Sequence, residues 1–383
     1  MSGTRRRVTI VGAAATSVVA GVALLPNWSA GAAVSDDPTV DARTKATFQR
    51  LADAVFTDRT NALVDGRADA DKPLTDGFSG DVALSSGTAR TEDATRSALG
   101  QRKEKLARAG ETYRAAGTTV TLNATRVTGR TAKAEVTETT TLTYARTRGD
   151  APKTTGFQAR HELTFTADRQ GDWRLTGIRD ADQGGLAVNT LSKPAPVKAT
   201  AAADTMPNAP RAATTRNPAA APKTSTTYDY KAMAAYAEKH WNAYNKDYPD
   251  FSGRGAGGDC TNFVSQSLKA GGWKHVPGYV YDYTRWFGNA DIQSHSFIGV
   301  NEWSWFAQNS KRTQPLANVY QLEVGDVLQV DFDKDGSKDH TMIVTYKSGG
   351  VPYLTYHSNN TLRRSVASLV ASYPNAYYYA YRT

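Results

Sequence analysis

An α+β protein in two halves is what this sequence of 383 residues predicts. Three observations carry the prediction. Residues 33–189 open on a helical stripe and continue in stretches of period-two alternation. Residues 190–227 hold no aromatic residue and are mostly Ala, Pro and Thr, a composition that cannot bury a core and reads as a semi-extended linker. Residues 228–383 hold 17 of the 19 tyrosines, five of the seven tryptophans and five of the six histidines, with helical stripes preceding strands.

Each segment has its own reason. Arg5, Arg6 and Arg7 precede an apolar stretch from Val8 to Leu25 and the small-residue site Ala30-Gly31-Ala32, the three parts of a secretory signal over residues 1–32. The mature chain is expected to start near Ala33 and to be secreted to the outside or the cell wall. By the Sec or the twin-arginine route, it keeps no stable membrane insertion once the signal is cleaved. In the first half, Phe48, Leu51, Ala52 and Val55 line one helix face. Val120–Ala124, Ala134–Thr139, His161–Thr166 and Trp173–Ile178 then alternate as strands. A curved antiparallel sheet on one or two helices fits them, in outline resembling the cystatin-like or nuclear-transport-factor-2-like (NTF2-like) folds, with a role in binding or spacing. In the second half, Met233, Tyr236, Ala237, Trp241 and Tyr244 give one helix, and a second runs from Asp259 to Gly271-Gly272. Strands are expected over Val327–Phe332, Thr341–Tyr346, Tyr353–His357 and Tyr377–Arg382.

Composition removes several functions. One cysteine, Cys260, rules out an internal disulfide framework and a thiolate zinc site. Of the net charge of +9, the Arg5–Arg7 cluster supplies three and the linker four, so the folded sequence is nearly neutral and no nucleic-acid partner is expected. No H-E-x-x-H or G-x-S-x-G motif occurs. The chain is read as a monomer that needs no cofactor.

The chemistry gathers around Cys260. If Asp259 caps the helix, Cys260 takes its first position, where free backbone N–H groups favour a thiolate below the usual thiol pKa of ~8.5 and can hold an oxyanion. Thr261 belongs to the same surroundings. A cysteine nucleophile needs a base, and His340 opens a strand just beyond a polar loop. The turn Ser348-Gly349-Gly350 leads to the next strand. With the hairpin centred between Lys347 and Pro352, His340 lies almost opposite Asn359 and diagonal to His357, all on one face. His357 and Asn359 therefore compete for orienting the imidazole.

Asp259-Cys260-Thr261-Asn262-Phe263-Val264-Ser265-Gln266, Gly325-Asp326-Val327-Leu328, His340-Thr341-Met342-Ile343-Val344 and Tyr356-His357-Ser358-Asn359 resemble the amidase domain family of secreted bacterial proteins. That family is similar to the NlpC/P60 and CHAP cysteine peptidases and amidases. The resemblance covers 228–383 only. It implies a papain-like fold and hydrolysis of an amide bond in cell-wall peptides or between glycan and peptide. The substrate is then a peptide or a piece of peptidoglycan. The rival expectations are a cell-wall-binding protein that keeps the fold without catalysis, and an exported protease or transglutaminase-like enzyme.

Two further signals stand apart. Asp331, Asp333, Asp335 and Asp339 follow the D-x-D-x-D-G form of a calcium loop, but Met342 stands where an EF-hand carries glutamate, so an acidic turn is the simpler reading. Aromatic residues between Trp273 and Trp305, with Trp273, Tyr283 and Trp286 foremost, are candidates for substrate contact or for core packing.

Overall fold

The Asp41 carboxylate accepts from Thr44 N at 2.9 Å and starts helix α1 (Ala42–Asn61). Ser85 does the same for α2 (Ser86–Arg108), accepting from Thr88 N at 3.1 Å. The computed structural model describes residues 34–65, 84–147, 149–182, 186–191, 209–223, 227–252 and 258–383, with the short strands β1 (Arg7–Val8) and β2 (Gly80–Asp81). Apart from β1, the expected export signal lies outside the described residues. No helix among the described residues is long and apolar enough to cross a membrane.

The alternating stretches of the first half form β3 (Tyr113–Thr128), β4 (Thr131–Tyr144), β5 (Thr154–Ala167) and β6 (Trp173–Asp180), paired antiparallel in sequence. Their inward residues Val136, Leu163 and Phe165 bury the predicted stripe of α1, with Phe48 stacked on Phe165 at 4.2 Å. The second half contributes α3 (Tyr230–His240), α4 (Cys260–Ala270), α5 (His295–Ile298), α6 (Val300–Asn309), β7 (Gln314–Leu316), β8 (Val327–Asp331), β9 (His340–Ser348), β10 (Val351–Tyr356), β11 (Thr361–Ser365), α7 (Val366–Ser372) and β12 (Tyr377–Arg382). This is an α+β arrangement. The strands expected from sequence are β8, β9, β10 and β12; the pattern did not reveal β7, three residues with a proline at the centre, or β11, which is short and mostly polar.

Those two halves share one sheet. Among the described residues it has ten strands, in the order β3-β4-β5-β11-β10-β9-β8-β12-β7, with β6 also on β5. The join is β5 to β11, where Phe157 faces Thr361 and Gly156 faces Leu362. A mixed cluster covers the seam: Leu99, Leu106, Tyr113, Phe157 and Val188 pack with Tyr353. In the second half, one face of the sheet carries Val327, Ile343 and Tyr381 under Phe263, Val264 and Trp303. The other carries Leu328, Val330, Met342, Val344, Leu354 and Tyr356 under Val366 and Leu369.

Linker residues 209–223 lie on the second half. Ala212 N donates to Tyr378 O at 2.7 Å, and Lys223 pairs with buried Asp326 at 2.7 Å. Alanine is small enough to pack flat here, so Ala209 and Ala212 are buried despite the composition.

The β9–β10 hairpin decides which side chains share a face. It turns on Gly349-Gly350, both at positive φ (56° and 76°), as a two-residue hairpin of primed type requires. The register begins as the sequence predicts, with Lys347 opposite Pro352. A bulge between Tyr353 and Leu354 then shifts it by one, setting Leu354 opposite Val344 and Thr355 opposite Ile343. A one-residue shift reverses faces. His340 shares its face with Met342 and Val344, whereas Thr355 and His357 join Thr341 and Ile343 on the α4 side. The expected common face for His340, His357 and Asn359 is thereby corrected.

Candidate functional site

Cys260 begins α4, and α4 is tied to the start of β9. Thr261 Oγ1 lies 2.9 Å from Thr341 Oγ1, which also accepts from Gln329 Nε2 at 3.0 Å. The Cys260 thiol is buried; Sγ accepts from the backbone N–H of Thr341 and lies 3.7 Å from Thr261 Oγ1. That contact brings the cysteine to the residue next to His340. Burial pushes the thiol up from its ordinary value, and the Asp259 charge adds to this; the Thr341 N–H works the other way without prevailing. The expected lowering by the helix start is thus overturned by desolvation.

Asp259 does not cap α4. Its backbone (φ −100°, ψ 3°) is not extended, and its carboxylate makes no capping bond. Oδ1 instead accepts from Phe251 N at 3.1 Å and Asn262 Nδ2 at 2.8 Å, and Oδ2 meets His357 Nδ1 at 2.5 Å. The His357 ring is stacked between Tyr244 and Phe263, each 4.0 Å away, and its Nε2 meets His240 O at 2.9 Å. With a carboxylate at one nitrogen and a carbonyl at the other, both ring nitrogens are already engaged.

His340 is different. It is buried, edge-on to Tyr356 at 5.1 Å, and its Nε2 has no hydrogen-bond partner among the described residues. Burial, with the Arg364 guanidinium, pushes its pKa down to about 3, so the imidazole is neutral at pH 7. No hydrogen bond joins it to Cys260 among the described residues.

Asn359 turns toward the first half of the chain. Its Nδ2 donates to Asp182 Oδ2 at 2.9 Å, and its Oδ1 accepts from Leu186 N at 2.5 Å. So Cys260, Thr261, Asp259 and His357 come together, His340 flanks them across the strand, and Asn359 is held elsewhere. Sequence reasoning missed Asp182 and Arg364, which carry no motif: Asp182 comes in because the two halves share a sheet, and Arg364 because β11 pairs with β10.

The other candidates are also located. Trp273 and Trp286 are core residues, 5.5 Å apart and edge to face, so the substrate-contact reading does not hold for them. The large ring plane of each is covered by helices packed on the sheet. Tyr283 is half-buried against Trp305 at 5.2 Å, while Tyr279 and Tyr281 are the exposed aromatics of this loop. The oxygens of Asp331, Asp333 and Asp335 lie within 4.8 Å of one another. The loop's own N–H groups take them up: Asp331 accepts from Lys334 N at 2.6 Å and Gly336 N at 3.1 Å, and Asp335 from Ser337 N at 2.7 Å. Asp339 is not in that group and accepts from Phe332 N at 2.7 Å. This is the pattern of an acidic turn closed on itself.

The family comparison bears on the second half. Residues 227–381 match the family described as "Putative amidase domain". The "Uncharacterized protein YhbB" of Bacillus subtilis (strain 168) is 35% identical over 126 residues, 32% of this chain and 39% of that protein. The "Uncharacterized protein YjcM" of the same organism is 29% identical over 143 residues, 35% of this chain and 32% of that protein. The chain thus matches less than half the length of either relative. No solved structure matches it. Residues 227–381 form an amidase-like domain.

Proposed function

We propose that this domain is a cysteine-dependent amide hydrolase that acts, after export, on peptidoglycan peptides. The observation that carries the reading is the seat of Cys260 Sγ: first residue of α4, bonded to the N–H of Thr341, next to a histidine whose Nε2 is unpartnered. The amidase family match supports the reaction class. The papain-like fold and the cell-wall substrate rest on the resemblance of the Asp259–Gln266, His340–Val344 and Tyr356–Asn359 strings.

In this reading the resting pair is neutral. Sγ attacks the amide carbonyl carbon as His340, at the open first position of β9, turns from the Met342 face toward α4 and takes the thiol proton; the new S–C bond forms and the carbonyl pair moves to oxygen, facing N–H groups at the start of α4. Collapse breaks the C–N bond, and His340 returns the proton to the leaving amine. Water then hydrolyses the thioester. His357 and Asp259 hold the nucleophile's helix rather than the base.

The test is hydrolysis of purified peptidoglycan sacculi by the full chain, read as newly released amino groups. Cys260→Ser and His340→Ala are each expected to lower the rate by at least about 1,000-fold. Wild-type rates in Cys260→Ser contradict the reading. Binding of sacculi without any release favours the rival, a wall-binding domain, which the buried neutral thiol and the missing Cys260–His340 bond also favour.

A further inference from the structure

The first half of the chain reaches the site's surroundings through Asp182, which holds Asn359, and through Arg160, whose guanidinium donates to Ser252 O beside Phe251. Asp182, half-buried after β6, accepts the backbone N–H of Arg160 at 2.6 Å and its Nε at 2.9 Å. On the same Oδ2 it accepts the Asn359 amide, while Leu186 N donates to the other end of that amide. Both ends of Asn359 are therefore held by residues outside the amidase-like domain. The segment that supplies Leu186 is itself fixed from both halves. Arg364 Nη1 donates to Leu186 O at 2.6 Å, and Arg102 Nη1 to Val188 O at 2.9 Å and Thr190 O at 2.5 Å.

What Asn359 holds is a strained turn. Ser358 and Asn359 lie in succession in the left-handed region, at φ 64° and 62°, which non-glycine residues adopt when their surroundings enforce it. The turn's next residue is clamped too: Gln158 N donates to Asn360 O at 2.8 Å and Tyr244 OH to Asn360 Oδ1 at 2.9 Å. Its preceding residue is His357, bonded to Asp259, whose neighbour is Cys260. A continuous path thus runs from Asp182 through Asn359, Ser358, His357 and Asp259 to the thiol.

We propose that Asp182 is a positioning residue for Cys260, so that the catalytic unit spans both halves of the chain. The kinetic part rests on the amide-hydrolase reading; the effect on the thiol does not. The experiment compares full-length wild type, Asp182→Ala, Asp182→Asn and Asn359→Gly. Iodoacetamide alkylation of Cys260 is followed by intact mass across pH, and sacculus hydrolysis gives kcat and KM. Glycine at 359 keeps positive φ accessible while removing the amide, so it stands in if Asp182→Ala does not fold.

Asp182→Ala and Asn359→Gly are expected to speed alkylation at pH 8 by about threefold or more, because the turn that carries His357 opens locally and loosens Asp259 beside the thiol. They should also lower kcat about tenfold with KM unchanged, as misplacement of a reacting group does. Asp182→Asn, which keeps an oxygen for the Asn359 amide, should restore both. Wild-type alkylation and its pH profile in Asp182→Ala or Asn359→Gly overturn the proposal. So does Asp182→Asn behaving like Asp182→Ala, which assigns the effect to the Arg160 charge pair. If wild type releases no amine from sacculi, the hydrolase reading fails while the alkylation arm still decides the coupling.

Discussion

Cys260 and His340 are each shifted by burial, in directions that leave both neutral. The consequence is visible without a substrate. Alkylation of Cys260 by iodoacetamide is expected to stay slow through neutral pH and to inflect above ~8.5; rapid labelling at pH 6 would mean a preformed ion pair instead. The residue types of this site were readable from the sequence, because a lone cysteine before Thr-Asn-Phe-Val and a histidine opening an apolar strand are local patterns. Their ionisation was not. The helix start argues for a thiolate, and only the three-dimensional burial of Sγ shows that desolvation outweighs it. Asp259 teaches the same lesson: a capping residue by type and position, it takes His357 as its partner because its backbone angles turn the carboxylate away from the helix.

Elements explain why the third polar residue could not be chosen from sequence. The glycine pair gave the hairpin and its first three cross-strand pairs, but the Tyr353/Leu354 bulge has no residue signature of its own, and past it every parity argument reverses. The strand that joins the halves, β11, hid behind Thr-Leu-Arg-Arg-Ser, a polar string made burial-competent by its surroundings. Arg364 is its key residue. Fully buried, it donates to Leu186 O, Ser368 Oγ and Ser372 Oγ and offsets the buried Glu111 carboxylate, whose pKa burial raises. Arg364→Met should destabilise the chain by about 3 kcal/mol, the range for removing one member of a buried charged group. The check is a lower urea midpoint at unchanged m-value, and a loss below about 1 kcal/mol would show the seam to be less tightly coupled.

At the level of the whole molecule, one sheet across both halves makes them a single unfolding unit. Heating is expected to give one transition; two separated ones would contradict the continuity of β5 and β11. The first half adds a pH dependence of its own. His161 sits between Asp180 Oδ1 at 3.0 Å and Glu138 Oε2 at 3.1 Å; burial opposes its charge, but these carboxylates prevail and lift it to about 9. A folded value above the unfolded ~6.5 means stability fully present below pH 6.5 and lost as pH rises through about 9. Wild-type Tm should therefore fall more between pH 6.5 and 9.5 than that of His161→Gln, and equal falls would remove His161 as the cause. The α+β class and both helix–strand successions could be read from periodicity. The union of the halves could not, since it depends on two pairs of residues, Phe157 with Thr361 and Gly156 with Leu362, some 200 positions apart.

Because the chain has a single cysteine, its role can be measured on the unmutated protein. Samples alkylated to increasing extents, with the labelled fraction read by intact mass, are assayed for amine release from sacculi. The account predicts that activity falls in proportion to the labelled fraction and vanishes at complete labelling. Fully labelled protein that still releases amines at the original rate would contradict it.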